Sequence, residues 1–444
     1  MFLLAPPGAH EEGSTIGRKT SVIARLSAAA ATCLLLSINV GTQIDALSIQ
    51  TPTAQVQTKT SNIHDVETTA RKRTGRQSYL HKQSHGGLPD IATSQEIRDL
   101  GISLSLRRPG SNSFFKGWIN WRTRVIDAIQ HDLSKNLPHP ADRSSFENLF
   151  FRLGVASDTG EMPSFSDAGA RSGYAIEFFC RARNLADLYI DTLNPAYTFP
   201  EHWVESMKGT EILGGGGEGE QLNVVSLAGG PGFDHVSAAL VATFCSYEPS
   251  GGATAPKQAA LNVTVFDYED GWGDLVQAMN DSTQRVLEND GIVCSWGGRC
   301  DITKSIFDEA NSACQPLLHS AQVWSCQYCV AENAQRLRES DWIFFTELAS
   351  HAAPGSMFIL SEVHPRLWPD VLSAVERNCS SMQVGFNRSG RQMLIRKGTD
   401  PSQDEVTISN KDRELVRRFR ELDGYHTRKI ESGWTRQAPK RWDD

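Results

Sequence analysis

Between Val224 and Val236 the chain reads VVSLAGGPGFDHV, an apolar run that enters a turn carrying Gly229, Gly230 and Gly232 and leaves it as a helix-compatible stretch. Few folds accommodate such a passage. Glycine lets the backbone turn sharply and lets a ligand approach the main chain without meeting a side chain. The amides opening the following helix, together with its dipole, favour a negative group there, such as a carboxylate or phosphate. Strand, glycine turn and helix in direct succession belong to an open α/β sheet that binds ligands at the ends of its strands.

The surrounding pattern agrees. Apolar runs at 223–227, 263–267, 292–295, 322–327 and 357–362 alternate with amphipathic stretches, the signature of a parallel sheet covered by helices. Two further runs, 382–387 and 392–396, are joined by Arg388-Ser-Gly-Arg391, a sequence suited to a hairpin turn. The expectation is an α/β, doubly wound, mostly parallel seven-stranded sheet with a terminal antiparallel hairpin, occupying 213–400. Upstream, 111–212 reads as an N-terminal helical cap. Trp118, Trp121, Val125, Ile126 and Ile129 recur at helical spacing, as do Phe178, Phe179, Leu185, Leu188 and Tyr189, with prolines between segments. Gly214–Gly217 and Gly219 mark a flexible joint. The segment 401–444 reads as a charged helix, Lys411 to Arg428, and a tail, with a solvated or lid-like face.

The 444 residues would suit two or three domains, yet only 39% are apolar, and the first quarter does not look folded. Arg18, Lys19 and Arg25 precede an apolar stretch from Leu26 to Val40, the layout of a secretory or two-part plastid leader over 1–47. It is shorter than the roughly 20 residues a stable membrane span needs. Residues 48–110 are rich in Thr, Ser, Gln and charge and read as a disordered linker. Up to residue 110 there are 12 Lys+Arg against 8 Asp+Glu; beyond it there are 32 against 44. A basic leader thus precedes an acidic body, which disfavours nucleic acid as partner. The chain says nothing of oligomeric state. Its nine cysteines are irregularly spaced, and the tight pair Cys326-Gln-Tyr-Cys329 has no matched second pair, so buried or reduced thiols are favoured over zinc or redox use. Sequons at Asn262, Asn280, Asn378 and Asn387 decide nothing, the motif being common by chance.

A dinucleotide fingerprint starting at Gly230 would need a third glycine where His235 stands, and the phosphate-loop pattern is absent. LAGGPGFD instead resembles the first motif of the class I S-adenosylmethionine-dependent methyltransferases, and the resemblance runs from about Leu222 to Lys397. The hairpin fits it, since that family inserts an antiparallel last strand into its sheet. Ser226 stands where the family often has an acid, and Ala228 where it often has its first glycine. The resemblance implies S-adenosyl-L-methionine as cofactor, held by Ser226, Ala228, Gly229, Gly230 and Gly232. Asp267, ending the second run, would take the ribose hydroxyls, with Tyr268 and Trp272 stacking nearby. Cys300, Asp301 and Ile302 would recognise adenine, although Asp301 also suits a helix N-cap. Past the fourth run, Tyr328 and Glu332 are the catalytic candidates and Asn333 a substrate-side one, with His351 or His364 as substitute bases. Residues 142–208 would cover the cofactor, with Arg171, Tyr174 and Arg181 able to face it.

The chemistry so implied is direct displacement at a sulfonium methyl by a nucleophile of a small-molecule or protein acceptor, which needs positioning, a base for weak acids and no metal. The segment 325–333 lacks the Asn/Asp-Pro-Pro-Tyr/Phe motif of many enzymes that methylate amino groups of bases or glutamine. Two alternatives remain open: a dinucleotide-dependent oxidoreductase, and a non-catalytic protein with a degenerate methyltransferase fold.

Overall fold

The computed structural model describes residues 91–107, 111–159, 161–192, 221–247, 261–362, 365–379, 381–387, 390–399 and 406–431. The leader at 1–47, the glycine joint at 214–219, residues 248–260 and His364 lie outside the described residues.

Helix α1 (Ser94–Ser105) corrects the linker expected to run to residue 110. Thr93 and Glu96 close a reciprocal capping box, and Ile97, Gly101 and Leu104 are buried. With so few apolar positions the helix carries little signal in a polar stretch. It is held from outside: the Trp121 indole N–H donates to the Ile97 carbonyl at 2.9 Å. Trp121 belongs to α2 (Asn112–Lys135), whose buried face carries Trp118, Trp121, Val125, Ile126 and Ile129. Three shorter helices follow, α3 (Arg143–Thr159), α4 (Ala168–Glu177) and α5 (Cys180–Thr192).

The sheet then begins. Strand β1 (Leu222–Leu227) leads to α6 (Phe233–Ser246), β2 (Leu261–Asp267) to α7 (Gly273–Leu287), and β3 (Ile292–Arg299) through short 3-10 turns to β4 (Val323–Gln327). After α8 (Ala334–Glu339) and α9 (Ile343–His351) come β5 (Met357–Ser361), α10 (Trp368–Glu376), β6 (Met382–Phe386) and β7 (Gln392–Lys397). The spatial order is β3-β2-β1-β4-β5-β7-β6-β8. Strand β7 lies between β5 and β6 and is antiparallel to both, while the other pairings are parallel. The seven expected strands are present, and the reversed strand sits inside the sheet. Residues 388–389 of the connecting turn lie outside the described set.

The sheet has eight strands rather than seven. The eighth, β8 (Val406–Ile408), pairs parallel with β6 in the segment read as a charged tail. Three residues are too few for alternation to announce a strand.

Side chains alternate across β1: Leu222 and Val224 join a core with α6, α7 and the amino-terminal helices, while Val225 and Leu227 join the core under α8, α9 and α10. The amino-terminal helices thus extend one helical layer, with α2 packed on α7 and α5 on α6. The last helix, α11 (Asn410–Glu431), is anchored on the opposite layer. Phe419 is buried against Phe386, ring centroids 5.9 Å apart, and a Cβ on Gly390 would come within 2.5 Å of its ring. Asp423 accepts hydrogen bonds from Arg338 and Arg366 at 2.6 and 2.7 Å. One face of α11 is therefore packed rather than free as a lid. Phe419→Ala is expected to destabilise the fold by about 3–5 kcal/mol in chemical denaturation. Leu422→Ala, at a side chain 53% exposed, should change stability by no more than about 0.5 kcal/mol. Equal small effects would mean that α11 is not anchored.

Among the described residues no helix is long and apolar enough to cross a membrane, and no group of three or more His, Cys, Asp or Glu side chains is placed to hold a metal ion.

Candidate functional site

In the order β3-β2-β1-β4-β5 the winding reverses between β1 and β4, and open α/β sheets bind ligands in the crevice at the carboxyl edge of such a reversal. A cleft lies there. Its floor is Ala228–Pro231, Phe233 and Asp234 after β1; its sides are Asp267, Tyr268 and Trp272 from β2 and Gln327–Cys329, Glu332 and Asn333 from β4. Met162, Phe165, Tyr174 and Arg181 close it from the amino-terminal helices.

The glycine loop is shaped by contacts that tolerate little else. A Cβ on Gly229 would fall 2.2 Å from Ser226 Oγ, so this residue lets the loop fold onto its own strand. Gly230 adopts φ +51°, and a Cβ there would meet nothing nearer than Trp272 and Tyr174, at 3.8 and 3.9 Å. The two rings pack on each other, centroids 5.7 Å apart, so Gly230 lies in ordinary contact with an aromatic wall of the cleft. Ala228 takes a left-handed φ of +50°, a conformation that favours glycine, at about 1–2 kcal/mol.

The loop departs from the anion site expected of it. The Gly229 amide donates to the Phe266 carbonyl at 2.9 Å, the Gly230 amide to Asp267 Oδ2 at 3.0 Å and the Gly232 amide to the Gly229 carbonyl at 3.0 Å. All three are engaged within the protein. The negative group at the start of α6 is the chain's own Asp234, which is 2% exposed. Asp234 Oδ2 accepts from Ser226 Oγ at 2.8 Å, and the Gln327 side-chain amide donates to Oδ1. A buried acid thus reaches Ser226 from eight residues further along the chain, beyond the loop. Burial pushes the carboxyls of Asp234 and Asp267 up to about 6, against the hydrogen bonds each accepts.

Opposite this end, Glu332 faces Arg181. Burial lifts the Glu332 carboxyl to about 7, with Asp267 raising it further and the Arg181 charge opposing. The Arg181 guanidinium lies over the rings of Phe178, Tyr328 and Tyr174, at 4.6, 4.8 and 5.3 Å from their centroids, and donates to the Tyr174 hydroxyl. Tyr328, at φ +58°, is held by its amide to the Ser361 carbonyl and by Asn184, which donates to its hydroxyl. Behind them Glu362, buried at the end of β5, accepts from the Ala331 amide at 3.0 Å and so fixes the loop that presents Glu332.

Of the residues singled out from sequence, Tyr174, Arg181, Ala228, Gly229, Gly230, Asp267, Tyr268, Trp272, Tyr328, Glu332 and Asn333 line the cleft. The others do not. Ser226 lies fully buried beneath the loop, and Gly232 is the N-cap of α6. Cys300 and Ile302 belong to the core under α8–α10. Asp301 is engaged in a turn of its own: Oδ1 accepts from the Thr303 amide and hydroxyl, and Oδ2 pairs with Arg336. Arg171 is buried, donates to the Phe165 carbonyl and packs against Gly271, bracing the loop that carries Phe165. Asp234, Gln327 and Glu362 were not foreseen; the tertiary fold brings the first two to the cleft and sets Glu362 behind it. His351 caps its own helix, contacting the Glu347 carbonyl, and does not line the cleft.

The buried acids make stability pH-dependent in a particular direction. Burial raises the Glu362 carboxyl from an ordinary 4.5 to about 8. The folded chain therefore keeps a proton that the unfolded chain releases, and the stability so gained is complete below about 4.5 and lost as pH rises through about 8. Tm is expected to fall between pH 5 and 8, and Glu362→Gln, neutral at every pH, should flatten the fall by on the order of 2–4 kcal/mol. Parallel wild-type and variant curves would contradict this.

No protein family description and no curated protein matches the chain. Solved structures similar to it include an O-methyltransferase family protein from Burkholderia thailandensis, at 15% identity over 62% of this chain and 72% of that one, with a TM-score of 0.31. Mitomycin 7-O-methyltransferase MmcR is similar at 12% identity over 67% and 75%, TM-score 0.30. MNMC2 from Aquifex aeolicus is similar at 13% over 49% of this chain, TM-score 0.29, and the chain spans 60% of its length. Likeness at this level transfers no substrate and no residue role, and the geometry of the cleft has to carry the function.

Proposed function

We propose that the chain is an S-adenosylmethionine-dependent methyltransferase acting on a small-molecule or protein nucleophile. The observation that carries this is the charge of the glycine loop. A nicotinamide or flavin dinucleotide brings a diphosphate, which needs free amides at the helix start. Here the three glycine amides are engaged and two buried carboxylates flank the turn. A doubly negative group would meet like charge in a poorly solvated site. A nucleoside carrying a sulfonium and an amino group instead finds opposite charge.

The residues present fit that group. Trp272 and Tyr174 beside Gly230 offer an aromatic wall to a flat or ribosyl moiety, and Asp267 at the end of β2 can accept from ribose hydroxyls while it holds the loop. Bound there, S-adenosylmethionine supplies an electrophilic methyl group. The protein's own part is to orient, to exclude water and to move one proton. Phe165, Tyr174, Tyr268 and Trp272 pack edge to face or tilted over the cleft and shield it. Glu332, with its carboxyl near 7, takes the proton of a weakly acidic acceptor, and Tyr328 and Asn333 border the same end. Arg181 steadies the carboxylate form. The acidic body and cleft support a small molecule or protein over nucleic acid as acceptor. Asp234, a buried acid reaching Ser226, also weakens the reading of a degenerate, non-catalytic fold.

The test is calorimetric titration of the full chain with S-adenosylhomocysteine and, separately, with a nicotinamide dinucleotide. Saturable micromolar binding of the first and none of the second is expected; the reverse would establish the oxidoreductase reading, and binding of neither the non-catalytic one.

A further inference from the structure

We propose that Cys326 and Cys329 form a redox modification site, a vicinal dithiol that a low-molecular-weight disulfide oxidises to an internal disulfide, locking the loop that presents the acceptor-side residues. Neither sulfur takes part in the methyl transfer described above. The two Sγ atoms lie 2.8 Å apart, both side chains being buried. Between them Tyr328 turns the chain at φ +58°, which folds Cys329 back towards Cys326. Their spacing alone favours inert thiols; the fold supplies a partner within reach and an opening to the cleft. Among the described cysteines only Cys329 lines the cleft, while Cys326 stands behind it in the core under α8, α9 and α10. Cys300 and Cys314 also hydrogen-bond to each other, but both are buried in that core and neither lines the cleft.

The arrangement gives the two sulfurs an order. Cys329, at the cleft wall, meets the oxidant first: its thiolate attacks one sulfur of the small disulfide, expels one thiol and leaves a mixed disulfide. Cys326 then attacks Cys329 Sγ, expels the second thiol and closes the ring. Two electrons pass to the oxidant, and the two protons given up by the cysteines end on the two released thiols. The hydrogen bond with Cys326, and then burial, hold the Cys329 thiol well above the usual range, so proximity rather than acidity selects this pair and oxidation is slow at neutral pH. The bond spans the segment from which the acceptor side hangs. The Cys329 carbonyl accepts from the Asn333 amide and side chain at 3.1 and 2.9 Å, the Tyr328 amide donates to the Ser361 carbonyl at 2.8 Å, and Arg181 lies over the Tyr328 ring. A left-handed turn at a tyrosine is unfavourable in a free chain, and a covalent link across it removes the alternatives. Oxidation therefore holds Tyr328, Glu332 and Asn333 in place, and reduction loosens them.

The experiment equilibrates the full chain with oxidised glutathione and a second sample with reduced glutathione, alkylates the free thiols in denaturant and weighs the peptides. The oxidised sample should yield a peptide holding Cys326 and Cys329 that is lighter by two hydrogens and unalkylated at both; the reduced sample should be alkylated at both. Cys326→Ser should instead carry glutathione on Cys329, whereas Cys329→Ser should stay unmodified at Cys326; glutathione on Cys326 in that variant would overturn the order of the two sulfurs. The disulfide should raise Tm by a few degrees and tighten S-adenosylhomocysteine binding by about threefold or more, since a loop held in its bound form binds at lower cost. The bond itself does not depend on the methyltransferase reading; only the affinity change rests on it. No internal disulfide in wild type would overturn the proposal, as would a disulfide that leaves ligand affinity unchanged. Binding by neither redox form would sink the methyltransferase reading instead, with the rise in Tm then deciding whether the bond locks the loop.

Discussion

Replacing Gly230 with arginine is expected to abolish S-adenosylhomocysteine binding while leaving the chain folded. The two halves of that expectation have separate causes. Gly230 sits at φ +51°, where a residue with a Cβ is strained by about 1–2 kcal/mol, a tolerable fraction of a domain's stability. Its Cβ would meet Trp272 and Tyr174 at ordinary contact distance and clash with neither. An arginine therefore fits only by extending past those rings into the cleft. That space is where the ligand belongs, and the guanidinium adds a positive charge close to Asp267 and Asp234, where the cofactor's own charge is to be met. Affinity should fall by more than about a hundredfold, roughly the effect of losing 3 kcal/mol of binding. Retained affinity, with Tm lowered by no more than a few degrees, would show that the ligand site lies elsewhere.

The second large effect is catalytic. Glu332→Gln keeps the size and shape of the side chain and removes its ability to accept a proton. S-adenosylhomocysteine affinity should change little, while turnover falls by about 10²- to 10⁴-fold. The pH profile supplies a separate check. Because burial holds the Glu332 carboxyl near 7, wild-type turnover should rise as pH increases through about 7 and the base loses its proton. That rising limb should vanish in the glutamine variant. An unchanged profile would assign the proton to another group, and equal loss of affinity and rate would give Glu332 a binding role instead.

The parts of the fold legible in the sequence were those in which a local run of residues has one physical explanation. Of the five apolar runs feeding the parallel sheet, those of β1, β4 and β5 are buried on both faces and so had to be continuous and apolar, while the edge run of β3 shows alternate exposure, and the two hairpin runs needed only turn chemistry between them. Strand β8 and helix α1 escaped because each depends on partners distant in sequence: β8 on the register of β6, α1 on the indole of Trp121. The same division runs through the cleft. The glycines and Asp267 follow from local grammar, since strand ends and turns place them. Asp234 serves β1 from the helix beyond the loop, and Glu362 serves the β4 loop across 31 residues, separations that no spacing rule encodes. Asp301 illustrates the converse. Its local context suited both a ligand and a cap, and Thr303 two residues on, with Arg336, takes both oxygens.

The most direct measurement is transfer itself. Purified full-length protein is supplied with methyl-labelled S-adenosylmethionine and a cell extract as the source of acceptors, and labelled products are resolved by mass spectrometry beside a parallel reaction with Gly230→Arg. A labelled product that appears with wild type and is absent with the variant is the expected result. Identical labelling by the two proteins would contradict it.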